Sequence, residues 1–230
     1  MVANKKKKTA HINFDVRGAS SEGLDVLIED FKKESSIRFV LAFSGGGEEA
    51  NKEYLSNIMR ETLAPLRGYP IAILSGGTNW GVPSAALEIA KEFGFATIGV
   101  FPLVAREKGY VLIDSIIDLG LCVFPTIGKS AWGDESSLFT KLLDATIIIG
   151  GGAGTMIEAA HLLKQNERKN VLQKHLIPIH GSGGTADRIS LLSGKPEILA
   201  RCMPSYPITS GREACRYLKE VIFIDEITIN

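Results

Sequence analysis

Four times along this chain an apolar run ends in a cluster of glycines and then restarts as an amphipathic segment. Ile37 to Phe43 reads into Ser44-Gly-Gly-Gly47 and a helical stretch, Glu48 to Leu66, with Tyr54, Leu55, Ile58, Met59 and Leu63 on one side. Pro70 to Leu74 reads into Ser75-Gly-Gly-Thr-Asn-Trp-Gly81, after which Pro83 opens a helix to about Phe93. Ala145 to Ile149, apolar enough to be buried on both faces, reads into Gly150, Gly151, Gly152 and Gly154. Thr155 to Glu158 then matches a capping box, so a helix is expected to start there. Leu176 to Ile179 reads into His180-Gly-Ser-Gly-Gly-Thr-Ala-Asp187 and a helix to Leu192. Parallel neighbours need helical crossovers, so the expected fold is α/β: a Rossmann-like, doubly wound, mostly parallel sheet in three α/β/α layers. In such a sheet the four glycine loops share one edge, where ligands bind at the topological switch point.

The remaining segments fit around this frame. His11 to Val16 reads as an edge strand or arm, and Glu22 to Lys33 as a helix carrying Leu24, Val26, Leu27 and Phe31. Ala96 to Phe101 is a strand stopped by Pro102. Tyr110 to Ile117 and Leu119 to Phe124 are apolar enough for strands, in a meander or lid, and Ser136 to Leu143 is a short helix. Ser193 to Ser210 is turn-rich, followed by a helix near Arg212 to Lys219 and a last strand, Val221 to Ile224. The division implied is a basic tail over 1–10 and a single domain over 11–230, with its core at about 37–192.

Charge narrows the function classes. The chain has 26 basic and 26 acidic residues, so no net field draws it to nucleic acid or a membrane surface. The one charge block, Lys5 to Lys8, reads as a solvated tail and lacks the apolar stretch of a signal peptide. No apolar run approaches a membrane span. Cys122, Cys202 and Cys215 form no C-x-x-C, and the four histidines have no ligand spacing, so neither a disulfide framework, a zinc site nor another metal is expected. The expected location is cytoplasmic.

The loops themselves exclude two common chemistries. None is a G-x-x-x-x-G-K-[ST] phosphate loop, and no G-x-G-x-x-G in the first strand–helix turn is followed by an acidic residue closing the next strand. What they share is bare backbone amides beside helix N-termini, which suits phosphate or carboxylate.

Gly-Gly-Ala-Gly-Thr-Met-Ile-Glu over 151–158 resembles the P-G-G-x-G-T-x-x-E signature of LOG-type proteins, phosphoribohydrolases once described as lysine decarboxylases. Ser75 to Val82 and Thr97-Ile-Gly-Val-Phe-Pro102 resemble two further blocks of those proteins. Within the wider SLOG superfamily, Ser75-Gly-Gly-Thr, Thr97-Ile-Gly-Val and the His180–Asp187 loop are similar to the N-terminal domains of TRPM channels and their prokaryotic relatives, regarded as sensors of nucleotide derivatives such as ADP-ribose. The resemblance implies a homodimer and a nucleotide-like ligand, with no required cofactor. The family's Pro is Gly150 here, and its Arg-Lys pair falls on Glu135 and Ser136, with Lys129 and Lys141 nearby.

The expected ligand-binding residues are Ser44, Gly45, Gly46 and Gly47; Ser75, Gly76, Gly77, Thr78 and Asn79; Gly151, Gly152, Gly154 and Thr155; and Gly181, Ser182, Gly183 and Thr185. Glu48 and Glu49 are candidates for ribose hydroxyls, Trp80 for stacking on a base, and His180 and Asp187 for polar contacts, whereas His161 reads as a helix-face residue. Glu158 has two readings, a carboxylate acting on a ribosyl centre or the partner of Thr155 in a capping box. Three functions follow: a protein binding a phosphorylated nucleoside or ADP-ribose-like derivative, a nucleoside 5′-monophosphate N-glycosidase, and a cofactor carrier or scaffold.

Overall fold

The computed structural model describes residues 11–17, 22–46, 51–168, 172–191 and 196–222. The expectations for Lys5 to Lys8 and for Gly47, Glu48 and Glu49 lie outside these residues. Seven strands form one all-parallel sheet: β1 (Ile12–Val16), β2 (Phe39–Gly45), β3 (Ile71–Ser75), β4 (Ala96–Pro102), β5 (Leu119–Val123), β6 (Ala145–Ile149) and β7 (His175–Pro178). Their spatial order is β1-β5-β4-β3-β2-β6-β7, which puts β1 on an edge as expected.

Strand residues alternate between two apolar layers. Phe39, Leu41 and Phe43 of β2 point to the layer formed with α2 (Lys52–Leu63), α3 (Gly81–Glu92), α4 (Leu103–Glu107) and α8 (Gly211–Tyr217). Val40 and Ala42 point to the layer formed with α1 (Glu22–Glu34), α5 (Ser136–Leu142), α6 (Ala153–Asn166) and α7 (Pro196–Cys202). A sheet covered on both faces has no use for polar alternation, and this explains the uninterrupted apolar runs of β2, β3 and β6. The three-layer Rossmann-like architecture is therefore the observed one.

Several elements depart from expectation, each for a local reason. In α1 the inward face is Leu24, Ile28 and Phe31, one helical stripe, while Val26 is exposed. Helix α2 starts at Lys52, where Asn51, at φ 54°, caps it by accepting from the Tyr54 amide at 3.2 Å. Tyr110 to Ile117 is not a strand; Val111 makes a single antiparallel bridge to Thr78. The surrounding amides bond the second glycine loop instead, Leu112 N to Gly77 O at 2.9 Å and Asn79 N to Tyr110 O at 2.9 Å.

Near the C-terminus, the helix expected after Asp187 is only a 3-10 turn, Ile189–Leu191. The turn-rich reading of 193–210 missed α7, which opens on Pro196 and buries Ile198 and Cys202 one turn apart. The strand expected at Val221 to Ile224 gives way to a wide helical turn, Leu218–Ile222, that prolongs α8; Phe223 and Ile224 lie outside the described residues. Helix α8 owes its start to Ser210, whose hydroxyl accepts from the Glu213 amide at 3.3 Å.

Candidate functional site

Strand order reverses between β2 and β6, which run side by side with Gly45 opposite Ile149. Their loops, Ser44 to Gly46 and Gly150 to Gly152, leave the sheet together at this switch point. The approach is too close for any side chain at Gly45: a Cβ there would lie 2.5 Å from the Ile149 carbonyl oxygen and 2.6 Å from Val82 Cγ2.

The β7 loop fixes which way the β6 loop faces. Ala186 N donates to Gly150 O at 3.0 Å, Thr185 N to Gly151 O at 2.9 Å, and Thr185 Oγ1 to Gly151 O at 3.2 Å and Gly152 O at 3.1 Å. Ser182 Oγ accepts from Gly150 N at 2.8 Å and donates to Ile179 O at 2.5 Å. With these three carbonyls tied to one side, the following amides, at the start of α6, have no carbonyl of their own helix to bond. Gly152 and Gly154 have nothing within 4 Å of a Cβ position, so this helix end is bare toward the cleft.

Helix α6 begins at Ala153, with Gly152 as its cap residue and no side-chain cap. This corrects the capping-box expectation: Thr155 lies inside the first turn, and Glu158 does not cap the helix. Thr155 is buried against Gly151.

The cleft has two lobes. One, of about 450 Å³, is lined by Gly46, Asn51, Tyr54, Gly150, Ser182 and Gly184 among others. The second, of about 270 Å³, is lined by Thr78, Trp80, Trp132, Glu135, Thr155 and Glu158 among others. Gly46 and Gly152 belong to both. Trp80 sits edge-on to Trp132, ring centroids 5.9 Å apart, and to Tyr110 at 4.9 Å, so the aromatic wall is braced from two sides.

Electrostatics separate the lobes. Burial pushes the Glu158 carboxyl up to about 8, opposed by a hydrogen bond from the Ser44 hydroxyl and reinforced by the charge of Glu135. Ser44 Oγ in turn accepts from Thr146 Oγ1 at 3.1 Å, so a short hydroxyl chain points at Glu158. Glu135 is also raised, mainly by burial, although its Oε2 accepts from Gly133 N at 2.9 Å. Among the described residues lining the two lobes none is basic. Lys141 does not replace the missing Arg, because it pairs with Asp25 at 2.6 Å, and Lys129 is exposed outside both lobes.

A family model described as the SLOG cluster4 family matches residues 39–192. The chain belongs to the SLOG cluster4 family. No protein of curated function matches it. Solved structures similar to this SLOG chain include TM1055, at 19% identity and TM-score 0.60, covering 80% of this chain and 99% of that one. The molybdenum cofactor carrier protein of Chlamydomonas reinhardtii is similar at 18% identity and TM-score 0.56, covering 79% and 96%. The molybdenum cofactor binding protein of Rippkaea orientalis is similar at 23% identity and TM-score 0.53, covering 80% and 98%.

Within this SLOG frame the expected residues separate into groups. Ser44, Gly45, Gly46, Gly76, Thr78, Gly151, Gly152, Gly154, Thr155, Ser182 and Glu158 line the cleft. Ser75 lies beneath it, fully buried, donating to Phe43 O at 2.8 Å. Gly77 packs on Gly99, and Asn79 reaches Gly109 O at 3.5 Å beside a separate hollow. The amides of Gly181 and Gly183 donate to Asp187 at 2.7 and 3.0 Å, so the chain's own carboxylate occupies that loop. Thr185 acts from behind, on the carbonyls. Tyr54 and Trp132 were not foreseen as site residues from the sequence, and Glu135 was named only as a replacement for Arg. The aromatic-acidic turn Trp132-Gly-Asp-Glu135 just before α5 was the available signal. Among the described residues no His, Cys, Asp and Glu side chains gather in a metal-binding group.

Proposed function

We propose that this SLOG protein binds a phosphorylated nucleoside or nucleotide derivative across the two lobes. The phosphate lies against the bare amides at Gly151 to Gly154, and the heterocycle enters the lobe of Trp132, Glu135 and Glu158. One observation carries this reading: an uncapped helix N-terminus and an aromatic, acidic lobe meet at Gly152. A helix end contributes about 0.3 to 1 kcal/mol to an anion, whereas micromolar affinity needs about 8 kcal/mol. The aromatic lobe must therefore supply most of the binding.

A carrier reading has its own support, because two similar structures are named for binding or carrying molybdenum cofactor. A pterin phosphate shares the required chemistry, a planar ring and an anion. A hydrolase reading rests on the two carboxyls. At neutral pH the raised Glu158 holds a proton and can give it to a departing base as the N-glycosidic bond's electron pair moves onto the base nitrogen. Water bonds to the ribose carbon, and Glu135 accepts its proton.

Thermal shift and calorimetry with AMP, GMP, ADP-ribose and NAD test the proposal. At least one should stabilise the wild type and fail to stabilise Gly152→Val, whose side chain projects into the cleft; no stabilisation by any of them refutes it. Free base released from a monophosphate by wild type and lost in Glu158→Gln would select the hydrolase.

A further inference from the structure

The two lobes differ in the hydrogen-bonding sense they offer. Glycine backbone lines both, but the carboxyls among the described lining residues, Glu135 and Glu158, are confined to the second lobe and add acceptors there. Each carboxyl has one side already engaged by the protein, Glu135 by the Gly133 amide and Glu158 by the Ser44 hydroxyl. Each has further lone pairs for a ligand. The turn that carries Trp132 and Glu135 is pinned. Asp134 accepts from Ala131 N at 2.8 Å and from Ser130 Oγ at 3.2 Å, and Ser130 Oγ accepts from Val104 N at 3.0 Å. The acceptors are thus fixed before a ligand arrives.

We infer that this lobe selects rings presenting two adjacent N–H donors, the N1–H and 2-amino edge of guanine and its pterin counterpart, over adenine and hypoxanthine. The inference rests on the proposed function, with phosphate at the amides of Gly151 to Gly154. Burial raises both carboxyls, Glu158 up to about 8, so near neutral pH Glu158 offers a proton and Glu135, in the same lobe, adds acceptor lone pairs. Guanine meets that set fully: N1–H and the 2-amino group donate to the ionised carboxyl, and O6 accepts from the protonated one. Adenine offers one amino group beside a ring-nitrogen acceptor, and satisfies the protonated carboxyl while leaving the ionised one facing C–H. Hypoxanthine keeps N1–H but lacks the 2-amino group, so one oxygen of the ionised carboxyl is left without a donor. A desolvated acceptor without a donor is the kind of mismatch by which a site rejects an otherwise similar ligand.

Calorimetry with GMP, IMP, AMP and neopterin monophosphate on the full chain tests this, with unliganded melting curves confirming that each variant folds. GMP or neopterin monophosphate should bind about tenfold or more tightly than IMP and AMP, and the tighter of the two identifies the ring's source. Glu135→Gln and Glu158→Gln should each narrow the GMP-to-IMP ratio, and the double variant should bring it within about twofold of unity. IMP or AMP binding as tightly as GMP, with all binding lost in Gly152→Val, overturns the selectivity and leaves the proposed function standing. A preference unchanged in the double variant overturns the assignment to these carboxyls. Failure of every monophosphate to bind overturns both readings.

Discussion

Thr185 holds Gly151 twice, its amide at 2.9 Å and its hydroxyl at 3.2 Å from the same carbonyl oxygen. A loop from β7 thereby turns the β6 loop so that its carbonyls face away from the cleft. Thr185→Val keeps the amide bond and loses the hydroxyl's bonds to Gly151 and Gly152. The expected cost is about 1 to 2 kcal/mol, read from urea unfolding, together with weaker phosphate binding. Unchanged stability and binding would mean that the hydroxyl does not orient the loop.

Two glycines of the cleft should respond oppositely to alanine. At Gly45 a Cβ meets the Ile149 carbonyl oxygen and Val82, both held by the core. Gly45→Ala should therefore lose about 1 to 3 kcal/mol. Gly152 has φ −100° and open space around it. Gly152→Ala should stay within about 0.5 kcal/mol of wild type and lose affinity for anions. Equal destabilisation of the two variants would contradict the assigned geometry.

Legibility in the sequence followed the same division between backbone and side chains. Apolar runs ending in glycine are unambiguous at β2, β3 and β6, because a strand buried on both faces must be apolar throughout and its loop must turn at once. The sheet and the glycine loops at its edge were therefore readable. Trp132 and Glu135 were not, because they come from a turn before α5 that no periodicity marks, and only the strand order brings that turn beside Thr155 and Glu158. The Thr155 to Glu158 pattern misled for a related reason. Local spacing matched a capping box, but Gly151 to Gly154 let the helix begin two residues earlier and freed Glu158 to face the cleft.

The Glu158 carboxyl makes stability depend on pH in a definite direction. Its folded-state value of about 8 lies above the usual carboxylate range, so the unfolded chain gives up this proton first. Its contribution is fully present below about pH 4.5, declines as pH rises toward 8, and is level above that. The whole effect is at most a few kcal/mol. Glu158→Gln removes it, so the variant should gain stability over wild type between pH 5 and pH 9 in urea titrations. Parallel curves for the two proteins would show that Glu158 ionises normally.

Asp118 provides a control remote from the carboxylate lobe. It accepts from Lys91 Nζ at 2.6 Å and from Thr97 N at 2.9 Å, just before β5 at the other end of the strands. Asp118→Ala leaves both donors without their partner and should cost about 3 kcal/mol. Ligand affinity measured well below the melting temperature should be unchanged; a large loss would couple this pair to the cleft.

A crystal structure with a bound nucleoside monophosphate tests the central claim most directly. The phosphate oxygens are expected at about 2.7 to 3.2 Å from amides between Gly151 and Gly154, with the ring between Trp132 and the carboxyls of Glu135 and Glu158. A phosphate seated elsewhere, for instance on Arg17 and Arg106 where they flank the Phe124 ring, would contradict it.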